Sequence, residues 1–98
     1  LASGHAYFVD FTAAWCITCQ FNEQQVLAKP EVLQAFADKQ VVLMRADWTR
    51  RDPAIGEALK QLGRNGVPVY VLQVPGRAPV LLSESLSTSE LLAAISKI

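Results

Sequence analysis

Cysteine is scarce in this chain. The 98 residues contain two, Cys16 and Cys19. So few thiols exclude a small scaffold stapled by several disulfides and leave the redox compartment unassigned. Histidine is scarcer still, with only His5, so a zinc centre built on the two cysteines lacks the roughly four ligands that such a site needs. Net charge is absent too. Nine lysines and arginines offset nine aspartates and glutamates, which removes any electrostatic case for nucleic acid or an anionic membrane surface as partner. No apolar run approaches the roughly 18 residues of a membrane-spanning helix. There is no initiator methionine and no basic start followed by an apolar core, as a secretory leader would have. The opening Leu1-Ala2-Ser3-Gly4 leads almost directly into a strand, as expected for a domain cut from a longer protein or for a mature form. No internal repeat, low-complexity segment or linker divides the chain.

What is present suffices for one compact domain, residues 1–98, with a real core. The hydrophobic fraction is 51%. Ala6 to Thr12 is apolar, with β-branched and aromatic members, and reads as a strand buried on both faces, interrupted by Asp10. Cys16 to Leu27 contains no Gly or Pro, places Phe21, Val26 and Leu27 at mixed helical spacings, and reads as a helix. Lys29-Pro30 breaks it. A short helix over 31–37 follows, with Val32, Leu33 and Phe36 inward, then a core strand from Val41 to Met44 ending near Asp47-Trp48. Asp52-Pro53 supplies an N-cap and a first-position proline, Ile55, Leu59 and Leu62 form a helical stripe, and Gly63 is the stop. Val69 to Val74 is a third strand, and Pro79 to Leu82 pairs back after the Pro75-Gly76 turn. Ser87-Thr88-Ser89-Glu90 is a capping box opening a last helix to Ile98. The order β, α, β, α, β, β, α predicts an α/β fold, a central mixed sheet flanked by helices.

The chemistry concentrates at Trp15-Cys16-Ile17-Thr18-Cys19, between a strand and a helix, where Cys-x-x-Cys reads as a redox motif. Thiols one helical turn apart can close a small disulfide ring and open it again. The thiolate is the nucleophile in disulfide exchange. Cys16, at the helix N-terminus where unpaired N–H groups favour negative charge, is the expected attacking sulfur. Cys19, one turn further in, is the expected resolving sulfur. Trp15 offers a flat apolar surface beside them.

Two acids accompany the thiols. Asp10 is a lone carboxylate in an apolar strand, six residues before Cys16. If buried it has a raised pKa and can hold the proton of Cys19; if at a strand end it simply faces water. Glu23 shares a helical face with both cysteines, either as a second charge that raises the thiol pKa or as an ordinary solvated residue. The Val67-Pro68 bond is a candidate cis peptide whose exposed backbone would pair with an incoming chain; local sequence alone favours a trans proline at a strand start.

Val9-Asp10-Phe11, Ala14-Trp15-Cys16-x-x-Cys19 and Gly66-Val67-Pro68 together resemble the thioredoxin superfamily over most of the chain. The resemblance implies a thioredoxin-like fold, a cis Pro68 packed against the disulfide, and Asp10 as the buried acid below Cys19. The run Asp10 to Cys19, with Glu23 and Ala46-Asp47-Trp48-Thr49, is similar to the C-terminal domain of the DsbD family of membrane thiol:disulfide interchange proteins. That likeness implies a soluble periplasmic domain of an inner-membrane protein, on a route associated with cytochrome c biogenesis. It would take electrons from a membrane donor domain and pass them to a periplasmic acceptor domain. Asp10 and Glu23 would tune the active thiol, and Trp15, Val67 and Pro68 would form the substrate surface. Ile17-Thr18 departs from the Gly-Pro of thioredoxin, Gln20 stands where a lysine is common, and the N-terminus is shorter than in a full thioredoxin.

The leading expectation is therefore a disulfide reductase module acting on protein thiols and disulfides. It needs no cofactor and no metal, and it is a monomer because a shuttle keeps its Cys16 face open. Two alternatives stay open: a thioredoxin-like oxidase or isomerase, and a module whose two thiols capture Cu(I). An inert structural domain fits poorly with an acid beside two thiols.

Overall fold

The computed structural model describes residues 4–98. Its order is β1 (Tyr7–Thr12), α1 (Ile17–Asn22), a π-helical turn (Glu23–Leu27), α2 (Pro30–Asp38), β2 (Val42–Asp47), α3 (Pro53–Gln61), β3 (Val69–Gln73), β4 (Val80–Leu81) and α4 (Thr88–Ser96). The four strands form one sheet in the order β2-β1-β3-β4. β1 runs parallel to β2 and antiparallel to β3, and β4 pairs antiparallel with β3. This is the expected mixed sheet.

Alternation along the strands sorts the core into two layers. Phe8, Tyr70 and Leu72 face one way and pack with Val26, Val32, Phe36, Leu91 and Ile95 from the π turn, α2 and α4. Phe11, Val69 and Val71 face the other way onto Leu59 of α3, with Ile55 and Leu62 beside it. Asp52 caps α3 by accepting from the Ala54 N–H at 2.8 Å, with Pro53 in the first turn, as the sequence predicts. Ser87 caps α4 by accepting from the Glu90 N–H at 3.2 Å. The reciprocal half of that capping box is not made. The Glu90 carboxylate instead accepts from the backbone and hydroxyl of Ser83, both at 3.0 Å, and holds the β4–α4 connection.

Three expectations need correction. The helix over 16–27 is not uniform: the ladder widens at Glu23, and the buried face carries Cys19, Asn22 and Val26, while Phe21 is 61% exposed. The second strand, Val42–Asp47, ends where the sequence predicts but is not a core strand. It lies at the sheet edge, so Leu43 and Met44 are exposed rather than core residues. Leu33 of α2 is also exposed rather than inward. The remaining boundaries move by one or two residues, as fraying helix and strand ends do.

Candidate redox site

β1 ends at Thr12, and a short turn carries the chain to α1. Cys16 is the N-cap: its backbone is extended, and its Sγ accepts the Cys19 N–H at 3.1 Å. A sulfur thus occupies the place of the usual capping oxygen. A backbone donor already aimed at Sγ favours negative charge there once the bond opens. Cys16 and Cys19 are joined as a disulfide, their Cα atoms 5.2 Å apart across the first turn. Cys16 retains 8% exposure and Cys19 none. The outer and inner thiols are therefore the ones that spacing predicts. Ala13 and Val67 complete the small cluster around the two sulfurs, and the Val67–Pro68 peptide is cis. Pro68 itself is buried.

Asp10 lies within β1, buried, facing the same layer as Phe8. Its Oδ1 has no hydrogen-bond partner. Burial in this apolar layer pushes its pKa up to about 6, and Glu23 adds to the rise while Arg45 opposes it. Glu23, at the first residue of the π turn, is not a solvated helix charge. Its Oε2 accepts the Thr12 hydroxyl at 2.6 Å and its Oε1 accepts from Arg45 Nη2 at 3.1 Å. Arg45 Nε lies 3.8 Å from Asp10 Oδ2. One guanidinium therefore stands between two carboxylates. It ties the edge strand and the central strand to the helix that carries both cysteines. Two grooves of about 240 and 270 Å³ open to either side of Arg45, the first lined by Asp10 and the second by Glu23.

Sequence reasoning did not find Arg45. The signal was available: a lone cation in the apolar run Val42-Leu43-Met44 mirrors the lone acid of β1, and parallel register sets Asp10 directly opposite Arg45. Nor did it find Asn22, which is buried and donates to the Tyr70 hydroxyl and the Glu84 carbonyl, both at 2.9 Å. Burial raises the Tyr70 pKa to about 12, against the Asn22 hydrogen bond and with help from Asp10 and Glu23, so the phenol stays neutral.

Trp15 is half exposed. Its Nε1 donates to the Thr49 carbonyl at 2.9 Å, and the Thr49 hydroxyl accepts from the Ala14 N–H at 2.8 Å. Asp47 fixes Thr49 in turn, accepting from its N–H at 2.9 Å and from its hydroxyl. Those contacts, the hydroxyl first, hold the Asp47 carboxyl below its usual range. The connection after β2 thus clasps the connection before α1. Among the described residues no three His, Cys, Asp or Glu side chains group as metal ligands. No helix there is long and apolar enough to cross a membrane.

A mixed sheet with a Cys-x-x-Cys disulfide at the head of the first helix, directly after the central strand, and a cis Val67–Pro68 bond whose Val67 packs against the two cysteines defines a class: dithiol domains of thioredoxin-like fold. The "Thioredoxin-like" family model matches residues 2–75, and the chain belongs to that family. Among curated proteins it is 39% identical over 70 residues to thiol:disulfide interchange protein DsbD 2 of Pseudomonas aeruginosa, covering 71% of this chain and 12% of that protein. It is 34% identical over 70 residues to DsbD of Escherichia coli, with the same coverage. The chain thus spans about an eighth of the length of these relatives. Its fold matches the reduced C-terminal domain of Neisseria meningitidis DsbD at a TM-score of 0.80, with 22% identity, 98% of this chain and 84% of that one covered. A thioredoxin from Thermus thermophilus matches at 0.79 and 24% identity, covering 98% and 75%. With Cys16 and Cys19 joined as a disulfide at the head of α1, the chain is a Thioredoxin-like domain whose sequence is similar to part of the DsbD interchange proteins.

Proposed function

We propose that residues 1–98 act as one thioredoxin-like disulfide reductase domain of a longer inner-membrane protein. It would lie in the periplasm, take two electrons from a membrane donor domain and pass them to a periplasmic acceptor domain. The observation that carries this reading is the Cys16–Cys19 disulfide across the first turn of α1, with its outer sulfur already capping the helix. The likeness to DsbD supplies the route.

In the delivering direction, the Cys16 thiolate attacks one sulfur of a partner disulfide. The partner's other sulfur leaves as a thiolate, and Cys16 is held in a mixed disulfide. Cys19 then gives its proton to Asp10 and attacks the Cys16 sulfur. The Cys16–Cys19 bond forms, the mixed bond breaks, and the second partner thiolate leaves. The proton held by Asp10 goes to a released sulfur. The partner gains two electrons and this domain loses two, and a donor dithiol reverses the sequence. Asp10 suits this role because a carboxyl titrating at about 6 can both accept and return a proton near neutral pH. Glu23 and Arg45 set its charge environment, while Trp15, Val67 and Pro68 form the docking face. No cofactor enters any step.

The test is the reduction potential of the Cys16–Cys19 couple, read by thiol trapping in thiol–disulfide buffers. A value well below about −200 mV supports the reductase; one near about −120 mV belongs to an oxidase and would replace it. A tight one-to-one Cu(I) complex in a metal titration would favour the metal-carrying alternative.

A further inference from the structure

Arg51 has a conformation that its position in the chain does not require. Its backbone is left-handed, with φ +53°. Among the described residues the only other non-glycine in that region is Gln40, which closes the turn after α2. A left-handed backbone is unfavourable for a residue with a long side chain, and such outliers persist where surrounding contacts hold them. Here the contacts are visible. The Arg51 N–H donates to the Trp48 carbonyl at 2.9 Å. Its guanidinium carbon lies 4.7 Å from the Trp15 ring centroid and 5.0 Å from that of Trp48. The two indoles are themselves 6.1 Å apart at 54°. The cation thus joins the two rings, and one of them belongs to the residue immediately before Cys16. Planar guanidinium on an indole face is a favourable pairing, stronger for arginine than for a point charge.

We propose that Arg51 is a positioning residue for thiol–disulfide exchange with proteins. By bridging the two indoles it holds Trp15 as a rigid wall beside Cys16, so that a docking polypeptide meets a preformed surface rather than one it must order on binding. The proposal rests on the reading of this domain as a partner of protein disulfides. It assigns Arg51 no contact with the reacting sulfurs. Loss of Arg51 therefore acts on docking and spares the intrinsic reactivity of Cys16.

The experiment uses the reduced 98-residue chain in single-turnover reactions with two oxidants, insulin as a protein disulfide and hydroxyethyl disulfide as a small one. Arg51→Gly is the informative variant, since glycine accepts the left-handed backbone without strain and the fold is kept. Its expected signature has three parts. The rate against insulin falls at least about fivefold more than the rate against hydroxyethyl disulfide, through KM rather than the limiting rate. The near-ultraviolet circular dichroism of the coupled indoles weakens. Arg51→Lys, which keeps a cation but not the planar face that spans both rings, recovers only part of both. Equal losses against the two disulfides, or an Arg51→Gly variant that reduces insulin at the wild-type rate, would overturn the assignment. A wild-type domain that reacts with hydroxyethyl disulfide but not with insulin would overturn the protein-partner reading itself.

Discussion

Arg45, within β2, and Arg51, in the connection that follows it, live in unlike surroundings. Arg45, on the edge strand, lies between Asp10 and Glu23. Arg51, just before α3, lies over Trp15 and Trp48. The first pairs charge with charge and bears on the Asp10 pKa. The second pairs charge with aromatic faces and bears on shape. The segment that carries the cysteines is therefore tied on one side to an ionic cluster, through Glu23 and Arg45, and on the other to an aromatic one, through Trp15 and Trp48. The same residue type serves both because neighbours, and not the guanidinium alone, decide what a cation does.

The largest effects are expected on the ionic side. In the proposed exchange Asp10→Asn removes the proton acceptor, and it is expected to slow resolution of the mixed disulfide by about a hundredfold or more, the usual range for a general base. The same change is expected to stabilise the fold. The native Asp10 titrates at about 6 and an unfolded aspartate near 3.8. The folded chain thus retains a proton that the unfolded chain has already released between those values, and stability falls as pH rises through that window. At pH 7 the charged, buried carboxylate costs up to about 3 kcal/mol. Asp10→Asn should recover part of this at pH 7 and nothing below about pH 4. Denaturant unfolding at the two pH values checks it, and an equal gain at both would show that charge is not the cause.

Arg45→Met is expected to have a milder effect. Arg45 is the one cause that lowers the Asp10 pKa, so its loss should move that titration above 6. Carboxyl carbon NMR of Asp10 would follow the shift; an unchanged midpoint would make Arg45 a surface residue only. On the aromatic side the expected sizes are smaller. Trp15→Phe keeps a ring but loses the hydrogen bond to the Thr49 carbonyl, at about 0.5–1.5 kcal/mol in thermal unfolding. Gly56→Ala should sharpen that side. A methyl there would rest 3.5 Å from Trp48 Nε1 in ordinary contact, and alanine favours the helix, so a gain of about 0.5–1 kcal/mol is expected, read as a higher Tm.

Much of this was legible in sequence. The Asp52-Pro53 cap, the helical stripe of α3 and the strand-to-helix passage at Cys16 rest on local chemistry, and local chemistry is what a sequence displays. Asp10 stood out because one acid interrupts an apolar strand. Arg45 did not, because its partners come from register across two strands and from a helix turn, none of which spacing reveals. Asn22 went unnoticed because periodicity marks apolar residues and assumes a uniform helix, whereas the buried face here carries a polar residue and the ladder changes at Glu23. Leu43 and Met44 read as core because a strand's apolar content does not say whether it is central or at the edge. The Arg51 bridge was beyond reach, since it depends on a left-handed backbone.

The most direct test of the account is to trap the mixed disulfide with a protein partner using single-cysteine variants. The account predicts that Cys19→Ser accumulates a covalent complex through Cys16, and that Cys16→Ser accumulates none, because Cys19 is fully buried. Capture through Cys19 in the absence of Cys16 would contradict the assignment of attacking and resolving thiols and the proton role given to Asp10.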